Sequence, residues 1–446
     1  MSTEENIVIA GGGFAGTTLV RALDGRLPPG RRLLLISEES HTTFNPMLPE
    51  AVGASIFPEQ VVAPIREMIT KAHFIMGRVN QVDTARRTLT ASTLAGDITL
   101  RYEHLLLAFG NRARLDLIPG LLQHALPLKT VGDAMHIRNT VLRRVAQIEL
   151  ETDVDLRRRL GHFVIVGGGF SGVETAGELI DCLASIRRYY RRVAADELRV
   201  TLLHDGPRLL PELSERLGVA AHRSLAARGV EVRVGARATF VGDKAVVLGD
   251  GSRVATSTVI CTIGTRPNAL VERMTVPVER GRIVVNPDLS VRDTPGLWAV
   301  GDCALAVNAR DGKLAPPTAQ FAVREARHAA ACLLARLEGL PTRAFDYKAR
   351  GSMAAIGHMK GVADVFGFPV TGLPAWLLWR AYYLSQMPTL GRKLRIFVEW
   401  TWGMFFPTDI THLRFTRSHE LDAPPAPQAD AVSGARRDIP IVARAA

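Results

Sequence analysis

Two segments of this chain are near copies of one another, and no other feature restricts the fold as much. NIVIAGGGFAGTTLVRAL, Asn6 to Leu23, and FVIVGGGFSGVETAGEL, Phe163 to Leu179, each pass from a short apolar strand through a glycine triplet into a helix. Gly11, Gly13 and Gly16 form the first triplet; Gly167, Gly169 and Gly172 form the second. In such a unit one glycine makes a tight turn, one lets the backbone approach a pyrophosphate, and one lets the helix pack closely on the strand. The phosphates then meet unpaired N–H groups at a helix N-terminus that carries roughly half a positive charge. The pattern predicts an α/β chain with two Rossmann-like dinucleotide-binding domains.

A unit of this kind also ends its next strand on an acid that holds a ribose hydroxyl. After the first triplet, RRLLLISEES offers a strand over Leu33 to Ile36 and, just past it, Glu38. After the second, Arg199 to Leu203 is the strand and HDGPRLLP follows, so Asp205 is the available acid, one place late behind His204. The second glycine helix is expected to continue through the basic run Arg187 to Arg192, a solvated face rather than a nucleic-acid contact. Three companion segments repeat the theme. HLLLAFGN brings a buried strand to Gly110, VICTIGTRPN does the same at Gly264, and PGLWAVGDCA ends a strand on Gly301 and Asp302. An aspartate there suits a ribityl or phosphate contact, or a helix N-cap. Two cradles in one chain imply two dinucleotides side by side, and the natural pair is a flavin and a nicotinamide, one donating hydride to the other.

Composition narrows the partners. With 446 residues, 47% of them hydrophobic, the chain can bury large cores. Its formal charge of +11 favours an anionic partner, a nucleic-acid backbone or a membrane surface, and charge alone does not choose between them; with the basic run read as a solvated face, no nucleic-acid partner is expected. Cys182, Cys261, Cys303 and Cys332 form neither a CxxC pair nor a zinc pattern, so buried reduced thiols and no metal site are expected. Pro, Gly and Arg interrupt every apolar stretch short of the roughly 18 to 20 residues a spanning helix needs. The N-terminus enters a strand at once, without a secretory pattern, which predicts a cytoplasmic protein.

Further segments carry a resemblance. The first triplet, FNPMLPE from Phe44, GGGFSGVETAGEL, GDCA, PPTAQFAVREA from Pro316 and FDYKARGSMAAIG from Phe345 together resemble the type II NADH:quinone oxidoreductases, a branch of the two-dinucleotide-binding flavoproteins, from about Asn6 to Leu413. The resemblance implies FAD in the first cradle, NADH in the second and a quinone as electron acceptor. His204 stands where that family has its second acid, which leaves NADH or NADPH open. By the same resemblance Glu174 belongs near both rings, where a carboxylate orients the nicotinamide or tunes proton movement; an acid favoured in a first helical turn is the structural alternative. Glu178, one turn on, is the second choice. Gln320 matches the first glutamine of the family's quinone motif, Arg324 replaces the second, and Arg350 replaces a lysine before glycine. Gln320 is expected to hydrogen-bond a quinone carbonyl, with Arg324 and Arg350 stabilising a developing quinol anion; ordinary helix-surface or interdomain contacts are the alternative for each.

Four of the five tryptophans, Trp376, Trp379, Trp400 and Trp402, fall between Leu373 and Phe406, interleaved with Arg380, Arg392, Lys393 and Arg395. Pro374, Pro388 and Pro407 divide the segment into two short helices, and Leu394, Phe397, Val398, Thr401 and Phe405 form one stripe of the second. Burying an aromatic ring contributes roughly 1.5 to 3 kcal/mol and a cation at an anionic leaflet about 1 kcal/mol. Monotopic attachment to the cytoplasmic face of the membrane, driven mainly by the rings, is therefore expected; an apolar homodimer interface is the alternative. The expected division is a discontinuous FAD-binding domain (1–120 and 285–344), an NAD(P)H-binding domain (121–284), a quinone and membrane-association region (345–420) and a disordered tail (421–446). The function so implied is NADH oxidation by quinone through FAD, without proton pumping. A sulfide:quinone oxidoreductase on the same scaffold, which needs cysteines paired beside the flavin, and a non-catalytic nucleotide-binding redox sensor are the rivals.

Overall fold

The computed structural model describes residues 5–349 and 351–413. The first glycine strand, Glu5–Ala10, lies inside a seven-stranded sheet, parallel to Arg31–Ser37 on one side and His104–Leu107 on the other. Ile7 to Ala10 have no exposed surface, as a strand covered on both faces requires. Leu297–Ala299 joins the edge of this sheet beside His104–Leu107, although nearly two hundred residues separate them. On the other side His73–Asp83 pairs parallel with Arg31–Ser37, then leads into the antiparallel strands Thr88–Thr93 and Gly96–Arg101.

The second glycine strand, His162–Val166, is built the same way, parallel to Arg199–Leu203 and Thr258–Cys261 in a five-stranded sheet completed by Ala125–Pro127 and Val230–Arg233. Even the register repeats: Ala10 faces Ile36 and Leu107, and Val166 faces Leu203 and Cys261. The glycine helices are Phe14–Leu23 and Phe170–Ile186. The second ends sooner than the sequence suggested, giving way to a 3-10 turn at Arg187–Tyr189. Continuing it would stack Arg187 on Arg191 and Arg188 on Arg192, like charges one turn apart. Asp302 is not an N-cap either. It sits in a 3-10 turn, Gly301–Cys303, and the long helix Ala319–Leu337 starts later, from Thr318.

The C-terminal region opens on an element the sequence reading missed, a three-stranded antiparallel sheet of Gly351–Ala355, Gly361–Val365 and Phe368–Thr371. The two expected helices follow, Leu373–Gln386 and Leu390–Phe405, with Pro374 in the first turn where its missing N–H costs nothing. Their aromatic rings are not spent as expected. Trp376, Trp379 and Trp400 are at most 3% exposed and join a core with the helices Leu48–Val52, Val131–Leu150 and Phe170–Ile186; only Trp402 lies outside. Arg380 is likewise no surface cation, since it stacks 3.6 Å from the Trp376 ring and 5.0 Å from that of Trp400. The stripe Leu394, Phe397, Val398, Thr401 and Phe405 is the solvent-exposed face of its helix.

Candidate nucleotide and acceptor site

The two glycine loops are backbone duplicates. Gly11 and Gly167 have φ of +114° and +121°, a region closed to side chains. A Cβ on Gly16 would overlap the Gly11 carbonyl oxygen, and one on Gly172 the Gly167 carbonyl oxygen, so both helices lie directly against their turns. Gly13 and Gly169 are the N-caps, at φ −76° and −78°, and neither offers a capping side chain to the first N–H groups. A Cβ on Gly13 would meet nothing within 4 Å, and one on Gly169 nothing nearer than Glu212 Oε1 at 3.8 Å. Each cradle thus has open space in front of unsatisfied donors, which suits a pyrophosphate.

Glu38 follows its strand end directly, held by Arg112 at 2.5 Å and Arg78 at 3.1 Å. Gly110 (φ +63°) and Gly264 (φ +70°) close the companion strands. Beyond them the two units join: Asn111–Ala113 pairs antiparallel with Thr265–Pro267, setting Arg112 opposite Arg266. Buried atoms without a hydrogen-bond partner line the first unit, among them Asn111 Oδ1, Thr42 Oγ1 and Arg282 Nε. A Cβ on Gly301 would meet Ala15 of the first glycine helix and Ala322 of the long helix at 3.4 Å, so the turn carrying Asp302 lies beside both. Burial raises the Asp302 carboxyl, partly opposed by Lys129, whose own ammonium burial pushes down. Open space, orphaned polar atoms and a Gly-lined turn are what a flavin dinucleotide needs here.

In the second unit the strand-end residue is His204. Its ring lies beneath the loop, with Nδ1 accepting the Gly168 N–H at 3.3 Å and lying 3.4 Å from Asp205 Oδ1. Its Nε2 is a buried atom that has no partner. The Asp205 side chain is 71% exposed.

Between the units lies the C-terminal strand Gly351–Ala355, held at both ends by residues the sequence singled out. Glu174 Oε1 accepts the Ala355 N–H at 3.1 Å, and Gln320 Nε2 donates to the Gly351 carbonyl at 3.4 Å. Glu174 is 5% exposed, and burial, reinforced by Glu50 and Glu178, drives its carboxyl well above the usual range. Arg324 is half-buried with its guanidinium over the Tyr347 ring at 5.4 Å. Arg350 and the tail from 421 lie outside the described residues.

The structure adds buried charges that sequence reasoning passed over. Glu325, 1% exposed, accepts the Gly301 N–H at 2.6 Å, and burial lifts it to about 7. Glu50, in the short helix Leu48–Val52, accepts Trp400 Nε1 at 3.0 Å and lies 3.5 Å from Arg380. The only local signals were an acid ending an apolar stretch in FNPMLPE and a lone cation within WLLWRAYYL. All four cysteines are free and buried, with burial raising Cys182 to about 12 and Cys303 to about 11. No reactive thiol pair lies beside the cradle.

Comparison with known proteins agrees with this geometry. The family model described as pyridine nucleotide-disulphide oxidoreductase matches residues 5–326. The chain belongs to this family. A second model, the NDH2 C-terminal domain, matches residues 349–409, the region of the added sheet and helices. Among curated proteins, the type II NADH:quinone oxidoreductase Ndh of Mycobacterium tuberculosis is 28% identical over 418 residues, covering 89% of this chain and 87% of its own length. The mitochondrial internal alternative NAD(P)H-ubiquinone oxidoreductase A1 of Solanum tuberosum is 26% identical over 440 residues, 91% of this chain and 88% of its own. Among solved structures, NDH2 of Plasmodium falciparum in complex with NADH superposes with a TM-score of 0.84 at 17% identity, over 92% of this chain and all of that one. At that identity the likeness is one of fold.

Proposed function

We propose that this chain is an FAD-dependent NADH:quinone oxidoreductase, non-proton-pumping and attached to the membrane surface. The observation that carries it is the pairing of Asn111–Ala113 with Thr265–Pro267, which joins the companion strands of the two units, together with the strand gripped between them by Glu174 and Gln320. When bound in the first cradle, FAD supplies the hydride acceptance and electron delivery that side chains cannot. The chain's own part is binding and alignment. Gly11, Gly13 and Gly16 cradle the flavin's pyrophosphate, Glu38 its ribose and Asp302 its ribityl chain; Gly167, Gly169 and Gly172 cradle that of the nicotinamide nucleotide, with Gly110 and Gly264 closing the two floors. Glu174, neutral because it is buried, presents an O–H donor to the nicotinamide side while Ala355 fixes its other oxygen. Gln320 donates its remaining N–H to a quinone carbonyl, and Arg324, braced on Tyr347, supplies positive charge as the quinol forms. Arg350 adjoins that strand in sequence and is assigned the same role.

No helix among the described residues is long and apolar enough to cross a membrane. Attachment instead uses Leu377, Leu378, Leu394, Phe397, Val398, Trp402 and Phe405, exposed across the two C-terminal helices. At roughly 1.5 kcal/mol for each of these on burial, the apolar face outweighs the about 1 kcal/mol from each of Arg392, Lys393 and Arg395. With three tryptophans inside the core, aliphatic side chains carry more of the attachment than the sequence suggested. The cytoplasmic face is the assigned side, since NADH arrives from the cytosol and quinone from the lipid.

The test is direct. Purified protein is expected to be yellow, to bleach with NADH and to recover its colour with a soluble quinone. Protein that takes up no FAD, or that is bleached and then left reduced by every quinone tried, contradicts the proposal.

A further inference from the structure

The second glycine helix, Phe170–Ile186, runs from the second cradle to the C-terminal sheet. Its N-terminus stands on Gly169, and one of its faces carries Glu174, Gly177 and Asp181 at helical spacing. These three meet Ala355, Ile356 and His358 in the same order. Glu174 Oε1 accepts the Ala355 N–H at 3.1 Å, and Asp181 Oδ2 accepts the His358 N–H at 2.7 Å. Between them a Cβ on Gly177 would overlap the Ile356 carbonyl, so helix and turn are in direct contact. The turn that joins Gly351–Ala355 to Gly361–Val365 is thus laid along the helix by its backbone.

Arg228 closes this contact from a third element. It follows the helix Glu215–Ala226, and its side chain is only 13% exposed. Nε donates to the Ser224 carbonyl at 3.1 Å, which braces the guanidinium on its own helix. Nη1 donates to Asp181 Oδ2 at 2.7 Å and to the Gly177 carbonyl at 3.3 Å, while Nη2 donates to the Ile356 carbonyl. A planar fork of fixed donors suits this task, since it reaches a carboxylate on one element and a carbonyl on another at once. A Cβ on Gly357, at φ +109°, would strike both Arg228 Nη1 and Asp181 Oδ2, so the turn passes through the clamp only as glycine. At the other end of the strand Gln320 supplies a single bond of 3.4 Å to the Gly351 carbonyl.

We infer that Arg228 and Asp181 are positioning residues for the quinone half-reaction: together they clamp the turn 356–360 onto the second glycine helix and so hold the acceptor strand Gly351–Ala355 in place. The inference rests on the NADH:quinone reading above. Both residues act through backbone groups of the turn, the Ile356 carbonyl and the His358 N–H. Loss of the clamp frees the strand and not the helix. Glu174 then keeps its place beside the second cradle, whereas Gly351–Ala355, with Gln320 and Arg350 at its far end, shifts away from the quinone. A displacement of about 1 Å in a reacting geometry costs up to roughly a hundredfold in rate.

Stopped-flow bleaching by NADH and the steady-state quinone KM, both on the full-length protein, separate the two half-reactions. In Asp181→Ala and in Arg228→Lys, bleaching is expected to stay within about twofold of wild type while the quinone KM rises about tenfold. Lysine keeps the charge but cannot reach Asp181 and the Ile356 carbonyl together. The double variant is expected to be no worse than either single one, because the two residues act as one device. Asp181→Asn keeps an oxygen for the His358 N–H and for Arg228, and is expected to return the quinone KM to the wild-type value. If Asp181→Ala fails to fold, Arg228→Lys read against Asp181→Asn decides alone. A quinone KM unchanged in Arg228→Lys, with only the thermal midpoint lowered, makes the clamp a structural contact and overturns the inference, as does equal slowing of both half-reactions. Wild-type protein that bleaches with NADH yet reduces no quinone contradicts the functional reading itself, whereas wild-type turnover with unaltered variants refutes the clamp alone.

Discussion

At the scale of single residues, His204 and Glu174 carry the sharpest consequences. A strand-end carboxylate holds a ribose 2′-hydroxyl and repels a 2′-phosphate. Here the position holds an imidazole in place of a carboxylate, and the neighbouring acid, Asp205, is exposed to solvent. His204→Glu should therefore raise the kcat/KM ratio of NADH to NADPH by about tenfold or more. An unchanged ratio means the ring does not face the ribose. Glu174 is different, since its role depends on remaining neutral in a buried place. Glu174→Gln leaves the Ala355 hydrogen bond available but cannot exchange a proton, and kcat is expected to fall about ten- to a hundredfold with flavin content unchanged. Wild-type turnover in that variant would return Glu174 to the role of a helix-turn acid.

At the scale of elements, the second C-terminal helix divides its duties between two faces. Ile396 and Trp400 point inward, while Leu394, Phe397, Val398 and Phe405 are exposed. Replacing Leu394 and Phe397 together by Glu forfeits roughly 3 kcal/mol or more of apolar burial. Cosedimentation with anionic vesicles should then be lost while reduction of a soluble quinone persists. Retained cosedimentation would move the attachment elsewhere, and wild-type protein that binds no vesicles because a stable dimer covers this face would favour the homodimer. How far these elements were legible follows from locality. The glycine loops, their strands and the second helix's stripe are written in consecutive residues, and periodicity reveals them. The Trp-rich helices were recognisable as helices, but which rings turn inward depends on partners such as Glu50, 350 positions from Trp400. The strands of the added sheet, four or five residues each, are too short for alternation to stand out from the flanking glycines.

At the scale of the whole molecule, the buried acids set a dependence of stability on pH. Glu178 and Glu399 titrate near 4.5 when unfolded and near 8 and 7 when folded, because burial disfavours their charged forms. Between about 4.5 and about 8 these two carboxyl groups hold more protons in the folded chain than in the unfolded one, so their contribution to stability is full below that window and declines as pH rises through it. The thermal midpoint should fall from pH 5 toward pH 8, by less in Glu178→Gln; an opposite slope would show these carboxyl groups to be ionised in the fold. The same scale holds the main claim, that the two cradles work in series. Gly13 and Gly169 permit a clean trial, because both have backbone angles open to any residue and a Cβ there enters the cradle rather than the protein. The decisive measurement is flavin content together with stopped-flow bleaching by NADH in Gly13→Val and Gly169→Val. Two cradles in series predict colourless Gly13→Val protein, and yellow Gly169→Val protein with wild-type flavin content that NADH no longer bleaches. Bleaching of Gly169→Val at the wild-type rate would contradict them.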